Sequence, residues 1–186
     1  MAIDEAQATA EGKMRKSVEA LKHDLASIRT GRASPALLER VVVDYFGTAT
    51  PVHALATISV PEPRLIQIQP WDRQTMTAIE RAIQKSDLGL TPNNDGTVIR
   101  LVLPQLTDER RRDLVKHVQR RVEEARVAVR NGRREAVDEL RKEEREKTIS
   151  EDDLHRGQDL LQKLTDRYVV QVDEVGHDKE REIMEP

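Results

Sequence analysis

Apolar residues recur at helical spacing from the start of the chain. Ile3, Ala10, Met14, Val18, Leu21, Leu25 and Ile28 fall on one stripe and predict a first long helix from about Ile3 to Arg29. Gly31 can adopt a left-handed backbone and close such a helix, and Pro35 disfavours restarting one. A second stripe is longer: Val115, Val118, Val122, Ala125, Val129, Gly132, Ala136 and Leu140. Its steps alternate between three and four residues, a heptad-like seam. Thr107 can cap its start, and Asp108 and Glu109 favour the positive end of the helix dipole. Continued to about Lys147, this second helix has roughly 40 residues and a length of ~60 Å. A third begins at Ser150. Ser150 and Asp153 are spaced as a capping box, with Asp in place of the usual Glu or Gln, and Ile149 and Leu154 as a hydrophobic staple. Leu161, Leu164, Tyr168, Val172 and Val175 carry its seam, and fraying is expected between His177 and Pro186.

Between Gly31 and Gln105 the period changes. Val41 to Phe46, Leu55 to Val60, Leu65 to Gln69 and Thr97 to Leu103 read as strands, punctuated by Gly47, Pro61, Pro63, the Thr91–Gly96 turn cluster and Pro104. Asp72 can cap a short helix whose apolar face is Met76, Ile79, Ala82 and Ile83. A helix with one narrow apolar stripe is not stable alone in water, so the three long helices are expected to pack together. The fold class is therefore α+β. An elongated three-helix bundle (residues 1–30 and 106–186) carries a small α/β domain (residues 31–105) inserted between its first two helices. The chain crosses between the two at Thr30, Gly31 and Arg32 and again at Leu103, Pro104 and Gln105, and these short Gly- and Pro-marked crossings are expected to act as a hinge.

Composition agrees with long helices and thin seams: 35% of residues are charged and 2% aromatic. Without cysteine there is no thiol catalysis, disulfide or cysteine metal site. No apolar run approaches a membrane span and the start lacks a signal-peptide layout, so a soluble cytoplasmic protein is expected. No nucleotide-binding loop, dinucleotide fingerprint, zinc-protease or nucleophile-elbow motif occurs, and His23, His53, His117, His155 and His177 are dispersed. The expectation is a protein that is not an enzyme and has no catalytic residues, metal or cofactor.

The net charge of −3 conceals an asymmetry. Residues 110–134 hold ten Lys and Arg against three Asp and Glu, whereas residues 135–186 hold nine against seventeen. Within the basic stretch, Arg126, Arg130 and Arg133 lie within about 60° on a helical wheel, with Arg134 further round. Arg126–Arg130 and Arg130–Arg134 are like-charge i,i+4 pairs, which weaken a helix. Two explanations stand: acidic residues of the third helix neutralise the stripe, or it binds a polyanion. Aromatic residues for stacking single strands are scattered and no groove-reading motif for DNA is present. The polyanion reading is therefore backbone contact with a folded RNA, with arginines as phosphate forks. Arg29 and Arg32 flank Gly31; Arg29 also suits a helix C-terminus, whereas Arg32 lies beyond the predicted last turn.

Five segments together resemble the bacterial ribosome recycling factor family, in order and over essentially the whole chain. They are Ile28-Arg29-Thr30-Gly31-Arg32-Ala33-Ser34-Pro35, Ser86-Asp87-Leu88-Gly89-Leu90, Leu106-Thr107-Asp108-Glu109-Arg110-Arg111, Ala125-Arg126-Val127-Ala128-Val129-Arg130-Asn131 with Arg133-Arg134, and Ile149-Ser150-Glu151-Asp152-Asp153. The resemblance implies an L-shaped, monomeric two-domain molecule that binds between the ribosomal subunits after termination through large-subunit ribosomal RNA. It also implies that elongation factor G, which itself carries the GTP, then drives the subunits apart. By the same resemblance Arg29, Gly31 and Arg32 at the bundle tip, with Arg130 and Arg133 on the second helix, are RNA-contact and tip-forming positions; Arg110 and Arg126 are further candidates. The rival reading is a coiled-coil adaptor whose basic stripe docks an acidic protein. Gly132 departs from the pattern, at a seam position where a larger apolar residue is expected.

Overall fold

In the computed structural model, which describes residues 2–185, the chain runs α1 (Ala2–Ala26), β1 (Val42–Tyr45), β2 (Thr48–Pro51), β3 (Ala56–Glu62), β4 (Leu65–Pro70), α2 (Met76–Lys85), β5 (Asn93–Asn94), β6 (Ile99–Val102), α3 (Asp108–Arg145) and α4 (Glu151–Met184). Two compact units result: residues 2–29 with 108–185, and Thr30–Thr107.

The first unit is three mutually packed helices, α1, α3 and α4. Their buried seams interdigitate: Met14, Val18, Leu21 and Leu25 from α1, Val118, Val122, Val129 and Leu140 from α3, and Leu161, Leu164, Tyr168 and Val172 from α4. Each such side chain contributes about 1.5–3 kcal/mol on full burial. The seams differ from the expected ones in detail. Leu114 is buried where Val115 is half-exposed, and Gly176 is buried where Val175 is half-exposed.

Two helix ends also differ. α1 stops at Ala26, three residues short of Arg29. The Ser27 hydroxyl donates to the Asp24 carbonyl at 2.7 Å and the Ile28 N–H to the Leu25 carbonyl at 3.1 Å, drawing the backbone out of the helical ladder. At the other terminus α4 does not fray at His177. It continues to Met184 because Ile183, 1% exposed, returns to the core. Between α3 and α4 the Thr148 N–H donates to the Glu143 carbonyl and the Lys147 N–H to the Glu144 carbonyl, both at 2.9 Å. With Lys147 at φ 62°, this is a Schellman stop built on lysine instead of the usual glycine. The capping box at Ser150 is formed in both directions, 3.0 Å from the Asp153 N–H to Ser150 Oγ and 3.4 Å from the Ser150 N–H to Asp153 Oδ2.

Gly132 faces α1, and a Cβ there would meet Lys13 Cβ at 3.7 Å and Met14 Cγ at 3.8 Å, ordinary contact distances. The position does not require glycine. Gly132→Ala is expected to stabilise the protein by about 1 kcal/mol, the helix-propensity difference. A higher urea midpoint at unchanged m-value would show it; a lower midpoint would mean that α1 and α3 sit closer than the backbone indicates.

The second unit is an antiparallel sheet of order β3-β4-β6-β5, with a separate β1–β2 hairpin. Ile66, Ile68, Ile99 and Leu101 form the inner face of the sheet and share one core with Met76, Ile79 and Ile83 of α2 and Val43 and Val52 from the hairpin region. The hairpin turns through Phe46 (φ 50°) and Gly47 (φ 82°), the backbone signs of a two-residue I′ loop. At the β5–β6 connection the Asp95 carboxylate accepts the Val98 and Thr97 N–H groups, both at 2.9 Å, and an Arg100 guanidinium bond at 2.6 Å. These bonds, Val98 first, hold its pKa at about 2.

Gly31 lies five residues beyond α1 and so does not cap it. It adopts φ 80°, and a Cβ there would meet Leu106 Cγ at 3.4 Å and the Pro104 carbonyl at 3.6 Å. The outgoing and returning chains are therefore adjacent. Both are tied to the β3–β4 turn: the Ala33 N–H donates to the Pro63 carbonyl at 2.7 Å and the Leu103 N–H to the Arg64 carbonyl at 2.8 Å.

Candidate nucleic-acid interface

The 38 residues of α3 form a continuous helix with 1.5 Å rise per residue, so side chains three and four apart line up on one face. Glu123, Arg126, Arg130 and Arg133 follow one another at those spacings, and Arg134 sits beside them. Their environments are unequal.

Arg126 is held by the bundle. Its Nε donates to Asp173 Oδ1 on α4 at 2.8 Å, its Nη2 lies 2.6 Å from the same oxygen, and its Nη1 donates to Glu123 at 3.0 Å. The Asp173 bond, then that to Glu123, pushes its pKa above the ordinary guanidinium value. Neutralisation by the acidic third long helix thus occurs at Arg126, which makes it a structural cation first. Arg130 is more loosely placed, with Nη1 3.9 Å from Glu123 and half of its side chain exposed. Arg133 is partly buried and Arg134 exposed, and among the described residues neither has a carboxylate within ion-pair distance. The other cross-helix pairs use different groups: Lys13 with Glu135, Arg121 with Asp24 at 3.1 Å, and Arg167 with Glu11 at 2.9 Å. The arginines left to face solvent are therefore the ones late in the stripe.

Of the other candidates in the first unit, Arg29 and Arg110 do not join this cluster. The Lys13–Glu135 and Asp24–Arg121 pairs show that α1 and α3 run antiparallel, so the exposed Arg29 lies beyond the level of Arg121. At helical rise that puts it on the order of 20 Å from Arg130 along the bundle. Arg110 is exposed in the first turn of α3, further still from Arg133. Gly31 and Arg32 belong to the second unit, where Arg32 is exposed next to the left-handed glycine. Within the first unit, Arg29 and Arg110 thus stand apart along the bundle from Arg130, Arg133 and Arg134.

Two more basic residues lie on the same helix. Lys116 and Arg120 line an open depression on α3 together with Asp113, Gln119 and Glu123. Their i,i+4 spacing was present in the sequence, but Glu123 and Glu124 interrupt the charge run and separate them from the arginines that follow. Among the described residues no group of three or more His, Cys, Asp or Glu side chains is placed to hold a metal ion, and no helix is long and apolar enough to cross a membrane.

Comparison with known proteins gives a consistent result. A family model described as "Ribosome recycling factor" matches residues 21–184. The chain is 59% identical over 174 residues to the ribosome-recycling factor of Chloroflexus aurantiacus, covering 94% of each protein. It is 55% identical over 175 residues to that of Brevibacillus brevis, covering 94% of this chain and 95% of the relative. Among solved structures it matches a solution structure of the ribosome recycling factor at 45% identity and TM-score 0.77, covering 100% and 99% of the two chains. A second match, at 45% identity and TM-score 0.64, covers 98% and 99%. It belongs to models of the T. thermophilus ribosome recycling factor and the E. coli elongation factor G bound to the E. coli post-termination complex.

Proposed function

The chain belongs to the ribosome recycling factor family, and we infer from this and from α3 that it binds the post-termination ribosome through large-subunit ribosomal RNA at the subunit interface. With elongation factor G and GTP it promotes dissociation into subunits. The GTP is bound by elongation factor G, and this chain contributes position and shape without a cofactor or a hydrolytic step of its own.

The observation that carries the reading is the pair Arg133–Arg134: two cations that, among the described residues, have no acidic partner, on a helix packed against two neighbours. No internal ion pair has to be broken before these guanidinium groups meet phosphate, and the packed helix fixes where their side chains begin. Arg130 adds a third fork, released from Glu123 on contact with RNA. Arg29, Arg32 and Arg110 provide further contacts, and Arg126 is held to Asp173 on the protein side. The crossings at Thr30–Arg32 and Leu103–Gln105 serve as the hinge. Because Ala33 and Leu103 are tied to one turn, bending concentrates in Thr30, Gly31 and Arg32 on one strand and Pro104 and Gln105 on the other.

The test is subunit dissociation followed by light scattering. Post-termination ribosomes, elongation factor G and GTP are mixed with this protein added or omitted. Rapid dissociation only in the complete mixture is expected, with binding to isolated large subunits weakening steeply as salt rises. Equal dissociation with and without the protein would overturn the reading. So would failure to bind large subunits together with binding to an acidic protein, which is the behaviour of the adaptor.

A further inference from the structure

Glu123 is anomalous on the basic face of α3. It stands between Lys116 and Arg120 on one side and Arg126 and Arg130 on the other, while its neighbour Glu124 pairs with Arg121. One oxygen lies 3.0 Å from Arg126 Nη1 and the other 3.9 Å from Arg130 Nη1, so one carboxylate bridges both guanidinium groups. It is not needed to hold Arg126, which Asp173 already engages through Nε and Nη2. Nor does it join helices, since both of its partners lie on α3. More than half of its side chain is exposed, so its oxygens occupy the outer side of the stripe, where an RNA phosphate would arrive.

We propose that Glu123 is a built-in competitor of phosphate, occupying Arg126 and Arg130 in the unbound protein and hastening departure from RNA once the ribosome has come apart. This rests on the RNA-binding reading of α3. A phosphate reaching Arg130 must displace Glu123 and then lie close to its negative charge. The carboxylate weakens the bound state and recaptures Arg130 as the phosphate leaves. Among variants of one interface, affinity changes of this kind fall mainly on the dissociation rate. A factor that acts catalytically on many ribosomes gains from such a brake, because tighter binding would trap it on the large subunit.

The test compares Glu123→Gln with Glu124→Gln, using isolated large subunits as the probe. Both variants remove one negative charge from an exposed position. Glu124 points about 100° away round the helix and pairs with Arg121 at 3.1 Å, which makes it the charge-matched control. Glu123→Gln is expected to bind about two- to five-fold more tightly than both wild type and the control, with most of the gain in slower dissociation. The slope of log affinity against log salt should steepen by about one, as a further phosphate is neutralised. If the two variants behave alike, only net charge matters and the proposal fails. If Glu123→Gln binds more weakly than the control, the carboxylate positions the arginines instead of restraining them, and the proposal fails equally. Arg133→Ala measured alongside separates the two levels. Undiminished binding by that variant would sink the RNA reading itself, whereas its loss with an unchanged Glu123→Gln would sink the brake alone.

Discussion

Arg133→Ala should lower affinity for the large ribosomal subunit by roughly 10- to 150-fold, the equivalent of one charge-assisted hydrogen bond worth ~1.5–3 kcal/mol. The size follows from the absence of an acidic partner among the described residues. Nothing within the protein has to be broken before the guanidinium meets phosphate, so the full interaction appears in the binding constant. Folding should be unaffected for the same reason, and the circular dichroism and urea midpoint of the variant should match wild type. Arg126 is the contrasting case: its removal strands Asp173 at the α3–α4 contact, so part of its effect falls on the bundle. Because a lost phosphate contact also reduces counterion release, the salt slope for Arg133→Ala should be shallower by about one. A folded Arg133→Ala protein that binds large subunits as tightly as wild type would remove this residue from the interface and, with it, the RNA reading of α3.

The second large effect lies inside the bundle. Gly176 of α4 is buried against α3, where an added Cβ would come 2.5 Å from Val122 Cγ2. Valine in a helix has essentially one χ1 rotamer and cannot turn this methyl away. Gly176→Ala must therefore separate the helices locally. Overpacking of this kind costs about 1–3 kcal/mol, offset by up to ~1 kcal/mol of improved helix propensity, so a net loss of ~0.5–2 kcal/mol is expected. Two neighbouring glycines make the prediction specific. At Gly157 the added atom would meet Leu140 Cδ1 at 2.6 Å, but that is the end of a longer side chain with a second torsion to adjust, so the penalty is smaller. At Gly132 there is room and the sign reverses. The check is a double-mutant cycle: Val122→Ala should recover much of the loss in the Gly176→Ala background, a coupling of about 1 kcal/mol or more. Strictly additive effects would show that helix separation at this point has another cause.

The long helices were legible because a period of 3.6 survives in a chain this rich in charge, and the capping box at Ser150 is a purely local signal. What escaped the sequence was decided by neighbours. The stripe on α1 places Ile28 in register with Leu25, but the Ser27 hydroxyl takes a backbone carbonyl and ends the helix before that residue. β2 was missed because Thr48-Ala49-Thr50 has no apolar alternation; it is a strand because β1 and the turn at Phe46–Gly47 supply its pairing. The end of α4 reads as a solvated charged tail until Ile183 is seen to meet the core. For the interface, the arginine stripe was visible as unfavourable like-charge spacing. Which arginine the protein keeps for itself was not, since Asp173, 47 residues on in sequence, reaches Arg126 only through the relative register of two helices.

The order of elements also sets a timetable for the nascent chain. α1 leaves the synthesis machinery first, yet both surfaces that cover its apolar stripe belong to α3 and α4, on the far side of the segment Thr30–Thr107. That segment has its own continuous core and closes on itself where Ala33 and Leu103 meet the Pro63–Arg64 turn, so it can complete without help from either flank. At ~5–20 residues per second its translation alone keeps α1 waiting on the order of 4–16 s. A helix of 25 residues with Met14, Val18, Leu21 and Leu25 uncovered for that interval is a target for holding chaperones. Its cover is complete only once α3 and α4, which fill the last two-fifths of the sequence, have been made.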